Sequence, residues 1–145
     1  MKLTAHTDYG LRVLMALALL DDRLMTIEEL ADRYRISRNH LMKVAQTLVS
    51  LGLVKSARGR GGGLSLAKRP EKLRIGDVVR ALEADMALVA CLGDDPASCV
   101  LSGACRLTGA LRQATEAFFA ELNQLTLADL VARRAPLSRR LALAS

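Results

Sequence analysis

The stretch from Ser37 to Gly52 constrains the fold more than any other part of the chain. On a helical projection at 100° per residue, Leu41, Met42, Val44, Ala45, Leu48 and Val49 share one arc. Asn39, His40, Lys43, Gln46, Thr47 and Ser50 fill the opposing arc. Arg38 projects on the apolar side, but in the first turn, from where its side chain reaches past a core. Ser37 is placed to cap the helix by accepting from an orphan backbone N–H. Upstream, Thr26 and Glu29 have the capping-box spacing that marks the start of a second helix. Two short helices joined by Arg35-Ile36, the second with a polar face, read as a helix-turn-helix. The pattern also suits a surface helix pair in any helical protein. The charge distribution separates the two readings. Between Arg33 and Arg74 stand eleven Lys/Arg residues and one acid, Glu71, so that this segment alone is +10 in a chain of net charge +6. A basic block that coincides with a helix-turn-helix points to a polyanion, because each neutralised phosphate releases counterions.

The sequence around this motif extends it into a mainly α fold with a small β-hairpin. After Gly52, Leu53-Val54-Lys55-Ser56 and Leu64-Ser65-Leu66-Ala67 flank a turn, Ala57 to Gly63, that holds four glycines. Two strands around a Gly-rich turn make a hairpin, and a hairpin directly after a recognition helix is the wing of a winged helix-turn-helix. Arg58 and Arg60 stand on its tip. No helix start and no Gly-Lys-Ser/Thr follows the glycines, which argues against a nucleotide-binding loop. Ahead of the motif, Thr7-Asp8-Tyr9-Gly10 opens a first helix, with Thr7 as its expected cap, and Leu11 to Leu20 make it apolar nearly all round. Ile75, Val78, Val79 and Leu82 define a helix that closes the domain. From Cys105 to about Gln124 a long helix carries Leu107, Leu111, Ala114, Phe118 and Leu122 as a stripe, which reads as a dimerisation helix. Thr126 is the expected cap of a last short helix. The basic tail from Pro136 is expected to be loosely held. The division is residues 1–84 as the DNA-binding domain, 85–105 as a loop, and 106–145 as dimerisation helix and tail. A hydrophobic content of 51% with only 3% aromatics and no Trp suits this Leu/Ala/Val-packed helical chain.

All three cysteines, Cys91, Cys99 and Cys105, lie in the loop, spaced Cys-x7-Cys-x5-Cys. An odd number of thiols is a poor disulfide framework. Unrelated buried thiols, a redox switch and a metal centre each remain open, and spacing alone does not choose zinc over an iron–sulfur cluster. A metal centre would need a fourth ligand from elsewhere, with His6, Asp8, His40, Asp94 and Asp95 as candidates. There is no paired acid–base constellation and no nucleophile–base motif, so the chain does not read as an enzyme. The ten-residue apolar run cannot span a bilayer, and no targeting signal is evident, which places the protein in the cytoplasm.

Several runs together carry a resemblance. They are Leu3-Thr4, Thr7-Asp8-Tyr9-Gly10-Leu11-Arg12, Ser37-Arg38-Asn39-His40-Leu41-Met42-Lys43, Arg58-Gly59 with Gly61-Gly62-Gly63, Ile75-Gly76-Asp77-Val78-Val79-Arg80, Cys105-Arg106-Leu107 and Thr126-Leu127-Ala128-Asp129-Leu130. As a set they resemble the iron–sulfur winged-helix repressors, and among them the nitric-oxide-sensing branch. The resemblance covers nearly the whole chain. It implies a homodimer on palindromic double-stranded operator DNA with one iron–sulfur cluster per subunit, held by Cys91, Cys99 and Cys105. It also implies nitric oxide as the signal that destroys the cluster and releases the DNA. Thr108 stands where IscR-type relatives have a His, which argues against that branch. Asp8 matches the position from which a partner subunit completes a four-iron (4Fe-4S) cluster, favoured here over a two-iron (2Fe-2S) one. In the absence of that role Asp8 is a first-turn acid favoured by the helix dipole. RirA-like iron sensing also uses three cysteines and stays open, as does a thiol-redox or zinc regulator. For DNA contact the expected residues are Ser37, Arg38, Asn39, His40 and Lys43 in the major groove, with Arg58 and Arg60 on backbone or minor groove.

Overall fold

The computed structural model describes residues 2–143. Met1, at the head of the expected DNA-binding domain, and the last two residues of the expected tail lie outside them. The chain forms helices α1 (Ala5–Ala18), α2 (Ile27–Tyr34) and α3 (Arg38–Ser50), then strands β1 (Val54–Ala57) and β2 (Gly63–Leu66). Helices α4 (Ile75–Leu82), α5 (Arg106–Leu122), α6 (Leu127–Leu130) and α7 (Arg134–Arg140) follow, with short 3-10 turns at Pro70–Lys72, Ala90–Leu92 and Pro96–Ser98. This is the mainly helical winged fold that the pattern predicts.

Helix α1 is the central element. Val13, Leu14, Ala16 and Leu17 are buried, as a helix apolar on all sides requires. Its cap is Thr4, not the expected Thr7: the Thr4 hydroxyl accepts from the Thr7 N–H at 3.3 Å. Thr7 is itself fully buried, and its hydroxyl donates to Glu83 Oε2 at 2.6 Å. The helix starts earlier than expected because the buried carboxylate of Glu83, at the end of α4, collects the donors of its first turn. Glu83 Oε2 also accepts from the Thr4 N–H at 3.1 Å and the Thr4 hydroxyl at 3.2 Å.

The helix-turn-helix follows its sequence signals closely. Thr26 Oγ1 accepts from the Glu29 N–H at 3.1 Å, and Ser37 Oγ from the His40 N–H at 3.2 Å. The Glu29 side chain does not complete a capping box; Arg23 takes it at 3.0 Å. Arg35, at φ 54°, closes α2 in the left-handed region and makes the turn. Leu41, Val44, Ala45 and Leu48 anchor α3 to the core. In the wing, Val54 pairs with Leu66 and Ala57 with Gly63 in antiparallel register. The wing is tied to the chain before α2, because Met25 and Leu64 exchange backbone hydrogen bonds of 3.1 and 2.8 Å. Gly63 sits at φ +151° with room for no side chain: a Cβ there would lie 2.9 Å from the Met25 carbonyl oxygen.

Helix α4 buries Ile75, Val78, Val79 and Leu82, as the spacing predicts. It lies close to α1, where a Cβ on Gly10 would come within 2.7 Å of Leu82, and closer still to α5 at Gly76. Across the α4–α5 contact, Arg80 lies 3.9 Å from the Phe119 ring centroid and pairs with Glu116 at 2.8 Å. Asn123 accepts from the Asp77 N–H and donates to the Asp77 carboxylate, both at 2.9 Å. Only Phe119 of α5 is buried, and Leu107 near its start is 59% exposed.

The tail departs from expectation. It is not loose but forms α7, whose Leu137, with Leu141 and Leu143 after it, packs on the core. Arg33 of α2 donates 2.6 Å hydrogen bonds to the carbonyls of Leu141 and Ala142, and Arg134 donates to the Leu19 carbonyl at 2.7 Å. The basic residues of the tail mask an i, i+4 leucine pair that gives it an apolar edge.

Candidate nucleic-acid interface and thiol loop

Helix α3 presents its polar face to solvent between α1 on one side and the wing on the other. Of the residues expected to meet DNA, Ser37 spends its side chain on the cap. Arg38 is exposed and its Nε lies 2.8 Å from Glu28 Oε1 of α2. Asn39 and Lys43 are exposed. His40 is half-buried, set edge-on against the Tyr9 ring of α1 with centroids 4.8 Å apart. About two helical turns further along, Thr47 shares a hydrogen bond of 3.1 Å with His6 Nε2. The His40–Thr47 edge of α3 is therefore the seam with α1. Arg58 and Arg60 stand exposed at the wing tip. The helical projection errs at the other edge. Met42 and Val49, assigned to the apolar arc, are 37% and 40% exposed, because the short wing strands do not reach over them.

The three thiols are free and half-buried. Cys91 lies on the turn Ala90–Leu92, Cys99 directly after the turn Pro96–Ser98, and Cys105 at the cap position of α5. Two of them lie at the start of α5. Cys91 Sγ lies 3.4 Å from Thr108 Oγ1. The backbone N–H groups of Thr108 and Leu107, at the start of α5, hold the Cys105 thiol below its usual range, and the Thr108 hydroxyl adds to this. A thiol favoured as thiolate is a prepared soft ligand. Asp8 is elsewhere: its carboxylate makes a bidentate pair with Arg12, at 3.0 and 2.8 Å. Among the described residues, no three His, Cys, Asp or Glu side chains converge closely enough to hold a metal ion. The donor set, three thiols on one loop, is of the soft kind that zinc or iron–sulfur centres take. No helix among the described residues is long and apolar enough to cross a membrane.

Comparison with known proteins agrees with this layout. The profile of a family described as Rrf2, iron-dependent transcriptional regulator, matches residues 3–133. The HTH-type transcriptional regulator NsrR of Bacillus subtilis is 47% identical over 132 residues, covering 90% of this chain and 90% of that one. The protein of the same name from Shouchella clausii is 46% identical, covering 90% of this chain and 89% of its own. Among solved structures, CymR, the global cysteine regulator of B. subtilis, superposes with a TM-score of 0.74 at 27% identity, over 92% of this chain and 98% of that one. IscR of T. potens superposes with the same TM-score at 23% identity, over 94% and 90% of the two chains, which speaks to the fold alone. Helix α7 lies beyond the stretch that the family profile matches.

Proposed function

This chain belongs to the Rrf2 family of transcriptional regulators and is a DNA-binding repressor rather than an enzyme; we propose that an iron–sulfur cluster on its thiol loop governs the grip on DNA and that nitric oxide is the signal. The observation that supports the reading is three free thiols, Cys91, Cys99 and Cys105, on one loop before α5, with Cys91 Sγ 3.4 Å from Thr108 Oγ1. Cys91, Cys99 and Cys105 hold the cluster, one per subunit and of the 4Fe-4S type, and Asp8 of the partner subunit supplies the fourth ligand. When bound, the group supplies iron sites that react with nitric oxide. A carboxylate is a harder and weaker partner for iron than thiolate, so the Asp8 position is the labile one. In this reading residues 1–84 are the DNA-binding domain, 85–105 the cluster loop, and 106–145 the dimerisation helix with its tail. The homodimer reads double-stranded operator DNA in the cytoplasm. Asp8 and Cys105 then tie α1 of one subunit to the loop of the other, and releasing that tie shifts the separation of the two α3 helices. Half-sites one helical turn apart, ~34 Å, tolerate little shift.

The test is purification without oxygen, iron and sulfide counts per chain, and titration with nitric oxide read by absorbance and by retention of duplex DNA. About four irons per chain, with chromophore and DNA retention lost together, is the expected result. Replacing any one of the three cysteines with Ala abolishes the chromophore. A colourless chain that binds zinc, or a chromophore lost on iron chelation and indifferent to nitric oxide, overturns the proposal in favour of a thiol-redox or iron-responsive regulator.

A further inference from the structure

We propose that the centre of the base-reading face of α3 is Gln46, flanked by Met42, and that these two residues give the protein its preference for A·T pairs in each half-site. The argument starts from what covers α3. Leu41, Val44, Ala45 and Leu48 face the core. His40 and Thr47 are occupied by Tyr9 and His6 of α1. What remains open is one continuous arc, running from Arg38 through Met42 and Gln46 to Asn39 and Lys43. Gln46 lies near the middle of that arc and Met42 between it and Arg38.

The wing side of the arc is not closed off. A groove of about 470 Å³ runs between α3 and the hairpin, and Met42, Gln46 and Val49 line it together with Arg58. Arg58 of the wing lines the groove, and Arg38 and Lys43 stand exposed at the two ends of the open arc of α3, all within a segment of charge +10. The occupant of this face is the DNA duplex: phosphates meet these cations, and base edges meet what lies between. The chemistry of the two central side chains selects the bases. A glutamine amide accepts and donates at once, which matches the N7 and N6 edge of adenine. An exposed methionine offers a flexible apolar surface with no donor, which suits the C5-methyl of thymine and no other major-groove feature. Arg38 stands at the α2 end of the arc, 2.8 Å from Glu28, at the edge of the reading face and not over its middle.

The experiment is selection of a randomised duplex library by the full chain, purified without oxygen, followed by affinity measurement on the selected sequence and on a scrambled duplex. The wild type enriches A·T pairs within each half-site. Gln46→Ala loses about 5- to 140-fold on the selected duplex and keeps its affinity for the scrambled one. Met42→Ala relaxes a second position by a smaller factor. Gln46→Glu removes the donor and leaves only acceptors, so that position switches toward C·G, where the cytosine amino group donates. A switch of preference requires a folded protein, so this variant separates reading from stability. The inference is overturned if Gln46→Glu and Met42→Ala select the wild-type sequence, if Gln46→Ala weakens both duplexes equally, or if the wild type enriches no sequence.

Discussion

Glu83 joins the end of α4 to the start of α1, and replacing it is the sharpest test of the packing described above. The residue is 7% exposed, and one carboxylate oxygen accepts from the Thr7 hydroxyl at 2.6 Å, the Thr4 N–H at 3.1 Å and the Thr4 hydroxyl at 3.2 Å. A hydrogen bond to a charged group contributes about 1.5–3 kcal/mol, and a carboxylate at a helix N-terminus adds about 0.3–1 kcal/mol. Against this stands the cost of removing the carboxylate from water, which absorbs part of the sum. Glu83→Ala also leaves the fully buried Thr7 hydroxyl with only the Thr4 hydroxyl, 3.2 Å away, as a partner. The net expectation is a loss of about 2–4 kcal/mol. In a chain of 145 residues this lowers Tm by roughly 6–12 °C, at about 3 °C per kcal/mol. The assay is urea unfolding of the reduced, metal-free chain, followed by circular dichroism. Thr7→Val and the double variant complete a cycle whose coupling is about 1–2 kcal/mol. If Glu83→Ala stays within about 0.5 kcal/mol of the wild type, the range of an ordinary surface substitution, the carboxylate does not clamp α1 and the reasoning fails.

Two further predictions probe the other faces of the same core. Gly76→Ala would place a Cβ 2.4 Å from the Phe119 carbonyl oxygen and 2.5 Å from Asn123 Oδ1. The backbone oxygen cannot swing aside, so the expected cost is about 1–3 kcal/mol of overpacking; an unchanged urea midpoint would mean that α4 and α5 are further apart than described. Ending the chain after Arg133 removes α7. The carbonyls that satisfy Arg33 go with it. The loss of Leu137 and Leu141 from the core edge adds to this, for a total of about 2–4 kcal/mol. A truncated chain as stable as the full one would show that α7 only rests on the surface.

What was legible in the sequence divides along the range of the interaction concerned. Thr26, Ser37 and Thr126 are caps because of residues three positions away, and each lies where its local signal puts it. Thr7 looks equally like a cap, but the choice between Thr4 and Thr7 is made by Glu83, 76 positions away, which no local pattern records. The core face of α3 follows from periodicity alone. The outer boundary of that face does not, since Met42 and Val49 are exposed only because the hairpin is too short to cover them. Cysteine spacing marks the loop, while the approach of Cys91 to Thr108 depends on how α5 enters. The leucine pair of α7 sits among arginines, and the hydrogen bonds that hold this tail run to Arg33 and to the end of α1, over a hundred residues away.

Helix α1 is where the two halves of the proposed mechanism share atoms. It carries Asp8 one residue before Tyr9, and Tyr9 packs on His40 of the reading helix. Arg12 binds the Asp8 carboxylate, lies 5.8 Å from the Tyr9 ring centroid, and offers its carbonyl to the Tyr34 hydroxyl of α2 at 2.7 Å. Burial pushes that hydroxyl up to about 12, against the pull of the Arg12 guanidinium, so it stays a donor under any physiological condition. The Asp8–Arg12 pair is about half exposed on both sides, at 47% and 45%. A pair so wet contributes at most about 0.5 kcal/mol. Withdrawing Asp8 toward a partner's metal therefore costs α1 little, whereas moving α1 itself must disturb Tyr9–His40 and His6–Thr47 together. In the proposed mechanism, ligation at Asp8 would cost the Asp8–Arg12 pair little, and only a displacement of α1 itself would reach the contacts that orient α3. Tyr9→Ala should accordingly leave iron and sulfide content unchanged while reducing the difference in DNA affinity between cluster-loaded and cluster-free chain by about 3- to 10-fold, within the range of couplings carried by packed side chains. A Tyr9→Ala chain whose two forms differ as much as those of the wild type would show that the signal does not pass through this contact.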